Sequence, residues 1–317
     1  MSQNNSFGKK ILIAPSSFAA VTNEPIDKLK EMGFEIILNP FGRTLNESEL
    51  LAFIDGCDAV LAGTETYNQK VLESNGNLKV ISRLGVGIDN IDLDVAKKEK
   101  ILVSRCNTSP SQAVAELVLS LFLNLSRKII DMNNDLKSDI WHKRMGNLLS
   151  GKVVGVIGLG EIGKRFIKIT SGLNLKYLAY DLYEDSKFSE EYKVDYVPLG
   201  QLLKESELIT VHINSSKENE NFIDLEKFKR MKKKPIIVNT SRGDILDEKA
   251  LIEALDTGLI SGVGLDVFKQ EPYTPNEQLL SLDNVILTPH IAAYASEVRF
   301  KMEIEAVNNL LRGMGNE

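Results

Sequence analysis

Two rhythms of apolar residues alternate along the chain. Short β-branched runs at Lys10–Ala14, Glu35–Leu38, Ala59–Ala62, Lys79–Ser82 and Ile101–Val103 predict strands, with amphipathic segments such as Ile26–Met32 and Glu47–Ile54 between them. Gly33 follows the first of these segments and Gly56 closely follows the second, where helix ends are expected. A second series of strands begins after Gly151: Val153–Ile157, Tyr177–Tyr180, Leu208–Ile213, Pro235–Asn239, Gly262–Val267 and Asn284–Leu287. Its helices include Asp247–Leu255, with Asp247 placed to cap the start and Gly258 placed to end it. Strand then helix, repeated, predicts parallel sheets in an α/β fold.

Between the series lies the most apolar stretch, Ala113–Leu125. It is too short to span a membrane and carries Glu116 and Asn124, so it predicts a helix buried on most sides, in a core or a subunit contact. Two α/β series joined by this helix predict two domains. The last helix, roughly Tyr294–Met314, is free to pack back on the first series. There is no internal repeat and no Pro/Gly-rich linker, so the hinge is ordinary structured chain.

Composition narrows the partners. At 317 residues the chain is long enough for two buried cores. A net charge of −6 argues against nucleic acid. The basic run Lys227–Lys234 is the local exception, but Phe228 and Met231 recur within it at helical spacing, which favours the solvated face of a surface helix. Cys57 and Cys106 build neither a disulfide framework nor a Cys-based metal site, and they read as reduced thiols in a cytoplasmic protein with no metal. Met1–Gly8 is polar and uncharged, so no secretory signal and no membrane partner are expected.

Gly158-Leu159-Gly160-Glu161-Ile162-Gly163 is a GxGxxG match, which alone says little. Here it follows the apolar run Val153–Ile157 and opens an amphipathic helix at Lys164–Thr170. The first glycine permits a tight turn, the second lets a pyrophosphate approach the backbone, and the third lets helix and strand pack closely. Asp181 ends the next strand, about twenty residues further on as the motif requires. A carboxylate there accepts from ribose hydroxyls and repels a 2′-phosphate, and no Arg follows immediately. NAD is therefore the predicted cofactor rather than NADP.

A nicotinamide enzyme acting on a carbonyl needs a proton donor for the oxygen and a cation for the substrate. His290, in Leu287-Thr288-Pro289-His290, lies just past a strand; Arg242 follows Ile236–Asn239, and Glu271 follows the strand ending at Phe268. Three ionisable groups at three strand ends have the arrangement of a cleft. Each also has a plain structural reading: a packed histidine, a surface ion-pair partner, a solvated carboxylate.

Four segments carry a resemblance. They are Arg83-Leu84-Gly85-Val86-Gly87-Ile88-Asp89-Asn90-Ile91-Asp92, Val238-Asn239-Thr240-Ser241-Arg242-Gly243-Asp244-Ile245-Leu246-Asp247, Gly264–Phe268 with Glu271-Pro272, and Thr288–Ala293. In this order they resemble the D-isomer-specific 2-hydroxyacid dehydrogenases over nearly the whole chain. The resemblance implies an α/β protein of two doubly wound domains. One is a flavodoxin-like substrate-binding domain of residues 1–106, completed by 291–317; the other is a Rossmann NAD-binding domain of residues 107–290. It implies that His290 exchanges the proton, that Glu271 bonds its imidazole, and that Arg242 binds the substrate carboxylate and polarises the carbonyl. Asp266 would bond the nicotinamide carboxamide, and Glu161, Ile162 and Thr240 would join the glycines and Asp181 around NAD. Backbone N–H groups of Leu84, Gly85, Val86 and Gly87 would hold the carboxylate of a small 2-hydroxy or 2-oxo acid, with Arg83 and Asn107 also at the substrate. Substrate would lie between the domains, so that closure excludes water, and the chain would be a homodimer.

Within the family the resemblance leans toward the 3-phosphoglycerate dehydrogenases. Arg83 before the glycine loop fits a phosphate ligand, as does the basic segment His142–Gly146 after Trp141, which in relatives can reach a neighbouring subunit. Arg83 paired with a carboxylate, or bound to the substrate carboxylate, fits equally well. Three departures pull away. The stretch Thr108–Gln112 is shorter than the family pattern, Ala292 and Ala293 stand where glycines are common, and no regulatory domain follows Glu317, so serine feedback through such a module is not expected. Glyoxylate or hydroxypyruvate reduction, a specialised biosynthetic hydroxy acid, and a non-catalytic NAD-sensing role like that of corepressor relatives stay open.

Overall fold

The structure, a computed structural model, describes residues 8–274 and 276–315; most of Met1–Gly8, and Glu317, lie outside the described residues. The chain divides into two compact units, Met1–Ser109 with Tyr294–Glu317, and Pro110–Ala293.

The first unit runs β1 (Lys10–Ile13), α1 (Glu24–Glu31), β2 (Glu35–Leu38), α2 (Glu47–Ile54), β3 (Ala59–Ala62), α3 (Gln69–Glu73), β4 (Val80–Arg83), α4 (Leu93–Lys98) and β5 (Leu102–Arg105). Its five strands are all parallel, in the order β2-β1-β3-β4-β5. That is the flavodoxin-like order, with its reversal point beside β1. Every residue of β3 and β4 is buried, which is why they read as unbroken apolar runs. Asn46 caps α2 in a capping box with Glu49, and Gly33 and Gly56, at φ +86 and +69, turn the chain after α1 and α2.

The final helix (Ser296–Gly313) packs on β3, β4 and β5 of this same unit. Ser82 Oγ donates to the Ala306 carbonyl at 2.8 Å, and a Cβ on Gly313 would stand 2.9 Å from Val80. Its buried pair, Arg299 Nε to Glu303 Oε1 at 3.0 Å, also reaches the loop after β1. Glu303 accepts from Ala19 N–H at 3.1 Å, and Arg299 donates to Ser17 Oγ at 3.1 Å.

The second unit opens with α5 (Ser111–Arg127) and α6 (Ile129–Lys137). Then come β6 (Val153–Ile157), α7 (Glu161–Thr170), β7 (Lys176–Tyr180), α8 (Ser186–Tyr192), β8 (Val194–Tyr196), α9 (Leu199–Glu205), β9 (Leu208–Val211), α10 (Leu225–Arg230), β10 (Ile236–Asn239), α11 (Glu248–Asp256), β11 (Gly262–Leu265), α12 (Glu277–Leu280) and β12 (Val285–Leu287). Seven parallel strands lie in the order β12-β11-β10-β9-β6-β7-β8, the Rossmann order with one strand added at the β11 edge.

Helix α5 is buried on most sides, as its apolar stretch predicts: it packs on α7, β10 and β11, and within Ala113–Leu125 Glu116, Ser120 and Leu123 form its exposed stripe. Two other readings need correction. The helix at the basic run, α10, starts before it at Leu225 and ends within it at Arg230, yet Phe228 and Met231 are both buried as the spacing requires. Strand β8 went unread because it is three residues long and carries the exposed Asp195. No described helix is long and apolar enough to cross a membrane.

Candidate functional site

In the second unit the strand order reverses between β6 and β9, and Gly158 faces His212 there. Gly158 has φ +92, and a Cβ on it would stand 2.9 Å from the His212 carbonyl, so the turn admits only glycine. A Cβ on Gly163 would stand 2.6 Å from the Gly158 oxygen and 3.0 Å from Val156, which fixes α7 against β6. Around Gly160 the situation is opposite: a Cβ would meet nothing within 4 Å. Gly160 is also the N-cap of α7 and offers no side-chain cap, so the N–H groups of Glu161, Ile162 and Gly163 lie at an uncapped, positive helix end. The Glu161 side chain itself accepts from Ser111 Oγ at 3.1 Å.

Asp181 directly follows β7 and holds the turn. Its Oδ2 accepts from Leu159 N–H at 2.6 Å and its Oδ1 from Tyr183 N–H at 3.0 Å. Thr240, after β10, is buried, and its hydroxyl has no partner among the described residues. Open space over Gly160, an uncapped helix start and an orphaned buried hydroxyl all fit a bound dinucleotide. When bound, NAD supplies the hydride chemistry.

The ends of β10, β11 and β12 carry Arg242, Glu271 and His290. His290 Nδ1 lies 2.7 Å from Glu271 Oε2, with 30% and 19% of the two side chains exposed. Glu271 Oε1 accepts from Phe268 N–H at 3.1 Å, so both oxygens of the carboxylate are fixed. The ring is oriented through Nδ1, which leaves Nε2 as the nitrogen able to exchange a proton. Arg242 is half-buried; one of its Nη atoms donates to the Ser241 carbonyl at 2.8 Å. The Asn239 side chain shapes this loop, donating to the Arg242 carbonyl at 2.8 Å and accepting from Ser241.

Asp266 is fully buried and bonded to the segment that carries His290. Oδ1 accepts from Thr288 Oγ1 at 2.6 Å and Ile291 N–H at 2.8 Å, and Oδ2 accepts from Ala292 N–H at 2.9 Å. Its carbonyl accepts from His290 N–H at 2.9 Å. Burial pushes the carboxyl up despite these bonds and the nearby His290. Asp266 thus shapes the turn in which His290 sits at φ +54.

Sequence reasoning missed Gly243. A Cβ there would stand 2.0 Å from the Phe268 carbonyl carbon and 2.3 Å from Lys269 N, so only glycine lets the Arg242 loop rest on the segment that leads to Glu271. A glycine directly after a candidate site arginine was the available signal.

In the first unit, Leu84–Gly87 follows β4. Leu84 and Gly85 use their amides inside the fold, donating to Ala62 and Arg83 carbonyls at 2.9 Å each. Val86 and Gly87 N–H donate to nothing among the described residues. Asn107 is tied to the final helix, its N–H donating to Glu305 at 2.7 Å. Of the remaining histidines, His142 is exposed near Asp135, and His212 is held down to about 3 by burial. Among the described residues no three His, Cys, Asp or Glu side chains gather as metal ligands would.

Residues 119–292 match the family described as D-isomer specific 2-hydroxyacid dehydrogenase, NAD binding domain. The chain is 35% identical to a hydroxypyruvate reductase of Thermotoga maritima over 303 residues, covering 92% of this chain and 97% of that one. It is 34% identical to a D-3-phosphoglycerate dehydrogenase of Archaeoglobus fulgidus over 311 residues, 96% of this chain but only 58% of that protein's length. A crystal structure of D-lactate dehydrogenase from Aquifex aeolicus, complexed with NAD and lactic acid, superposes with a TM-score of 0.80 at 27% identity, covering 97% and 96% of the two chains. The chain belongs to the D-isomer-specific 2-hydroxyacid dehydrogenase family.

Proposed function

We propose that this protein interconverts a small D-2-hydroxy acid and its 2-oxo acid with NAD, through His290, Glu271 and Arg242. The observation that carries the reading is the 2.7 Å contact between His290 Nδ1 and Glu271, at the carboxyl edge of a sheet whose glycine turn fits NAD. In reduction, His290 Nε2 gives a proton to the C2 oxygen; in oxidation it takes the proton back. Glu271 holds the ring through Nδ1, so that Nε2 is the nitrogen presented for the proton transfer. The Arg242 guanidinium pairs with the substrate carboxylate and draws electron density from the adjacent carbonyl. The substrate-binding role falls to the first unit and the NAD-binding role to the second.

The test is NADH oxidation against glyoxylate, hydroxypyruvate, 3-phosphohydroxypyruvate and pyruvate. Turnover of at least one is expected, and His290→Ala should lower kcat by about 100-fold or more while leaving NADH affinity nearly unchanged. Tight NADH binding with no turnover on any acid would instead support the NAD-sensing role.

Two further assignments belong to this reading. Leu136, Ile140, Trp141, Met145 and Leu148 are 51–91% exposed on one stretch of the second unit, which supports a homodimer built on that surface. Sedimentation of Trp141→Ser/Met145→Ser as a monomer would bear this out. The two cysteines are buried, and burial raises both thiols to about 11, which suits reduced, unreactive thiols in the cytoplasm.

A further inference from the structure

The loop from Asp181 to Asp185, after β7, is tied at both ends to the glycine turn and its helix. Asp181 accepts from Leu159 N–H at 2.6 Å, inside the turn. Asp185 Oδ2 accepts from Lys164 Nζ, also at 2.6 Å, on α7. Lys164 N–H donates to the Gly160 carbonyl at 3.0 Å, so this cation stands one helical turn beyond the glycine over which the cradle is open. It is the first cation of α7, since Glu161, Ile162 and Gly163 precede it.

Asp185 is built into its place. It is the N-cap of α8, with Oδ1 accepting from Phe188 N–H at 3.1 Å, and its own N–H donates to the Tyr196 hydroxyl at 2.9 Å. The Lys164 ammonium, with help from Phe188 N–H, holds the carboxyl below its ordinary value. Phe188 acts a second time, because Lys164 Nζ lies 5.6 Å from the centre of its ring. Lys164 is therefore drawn toward α8 by a carboxylate and by an aromatic face. Lys164 and Asp185 stay partly exposed, at 31% and 41%, so a lysine released by its partner is open to a ligand.

A 2′-phosphate on the ribose beside Asp181 needs a cation to offset that carboxylate. The cradle's own helix offers Lys164, and Asp185 has neutralised it. The ribose of NAD carries only hydroxyls there and loses nothing by this.

We propose that Asp185 is a positioning residue that helps select NAD over NADP, acting through Lys164 by holding that cation on α8 and away from the ribose end of the cradle. The proposal rests on the reading of Gly158–Gly163 and Asp181 as the NAD cradle. The two tethers carry it: one acidic residue at each end of the same loop, the second closed on the first cation of the cradle helix.

The test is fluorescence titration of the whole chain with NADH and with NADPH, read as the ratio of the two Kd values. Asparagine caps a helix as well as aspartate does, so Asp185→Asn removes the charge and keeps the start of α8; Asp185→Ser repeats this with another capping residue, and thermal melts confirm folded protein. Both variants should tighten NADPH by about three- to tenfold and change NADH by less than about twofold, with a smaller gain at high salt. Adding Lys164→Met to Asp185→Asn should cancel the gain, whereas Lys164→Met alone should leave NADPH affinity within about twofold, its charge being already neutralised. Asp181→Ser/Asp185→Asn should bind NADPH more tightly than NADH. An unchanged Kd ratio in folded Asp185→Asn and Asp185→Ser overturns the proposal. So does a gain that survives Lys164→Met, since the carboxylate would then act without the lysine. A folded wild type that binds neither nucleotide overturns the cradle reading itself, and the proposal with it.

Discussion

Three donors converge on the two oxygens of Asp266, and an asparagine offers only one acceptor oxygen in the same space. Asp266→Asn should therefore loosen the turn that carries His290 and lower kcat by about 10- to 100-fold, the range seen when supporting hydrogen bonds around a site are lost. NADH affinity should change by less than about threefold; an equal loss of cofactor affinity would instead support a bond from Asp266 to the carboxamide. His212 sets a pH dependence. Its folded-state value is about 3, whereas a histidine in the unfolded chain titrates near about 6.5. Between these values the unfolded chain takes up a proton that the folded chain refuses, so stability is full above 6.5 and falls as pH drops toward 3. Denaturant titrations of His212→Asn should show a shallower loss between pH 6.5 and 4, by up to about 1 kcal/mol per pH unit. The ionisable residues of the site were legible because each sits just past a strand. The bonds of Asp266 and the burial of Arg83 were not, since both depend on which loops touch, and spacing along the chain says nothing of that.

Glycine turns separate the binding surface from the scaffold. At Gly160 a methyl meets nothing within 4 Å and φ is negative, so Gly160→Ala should fold normally with an unchanged Tm. The methyl would stand in the space that a pyrophosphate uses, and NADH affinity should fall by about tenfold or more. Gly243→Ala should do the reverse, costing upwards of about 1–3 kcal/mol because its methyl would meet the Phe268–Lys269 backbone. Calorimetry alongside NADH titration of both variants distinguishes the roles, and a destabilised Gly160→Ala would count against an open cradle. Most strands were readable to within two residues at each end, because strands in parallel sheets are continuous apolar runs. Short helices such as α3 and α12, of five and four residues, were not read from the pattern: too short to show a periodicity, they are fixed by caps on Asn68 and Asn276 and by packing.

Over the whole molecule, the alternation of strands and helices announced two parallel sheets, but their strand orders follow from crossover handedness and packing rather than from any one segment. The final helix joins the first unit because Ser82, Val80 and the Arg299–Glu303 pair receive it, contacts that no periodicity encodes. The second unit buries clusters on both faces of its sheet, one including Leu202, Phe228 and Leu251, the other Phe122, Val154 and Phe166. Gly158–Gly163 and Asp181 belong to that unit, so a ligand bound there adds its free energy to that unit's folding. At 100 times its Kd, NADH should contribute about 2.7 kcal/mol. For a unit of this size each kcal/mol raises Tm by about 2–4 °C, so a shift of roughly 5–11 °C is expected. NADPH should do less at equal concentration. Its 2′-phosphate would meet the Asp181 carboxylate, which is held in place by Leu159 and Tyr183 N–H and has no cation immediately after it in the chain. Asp181→Ser removes that repulsion along with one tether of the turn, so it should lower the NADH shift and raise the NADPH shift until the two converge. Equal shifts for both nucleotides in the wild type would remove Asp181 as the residue that selects NAD.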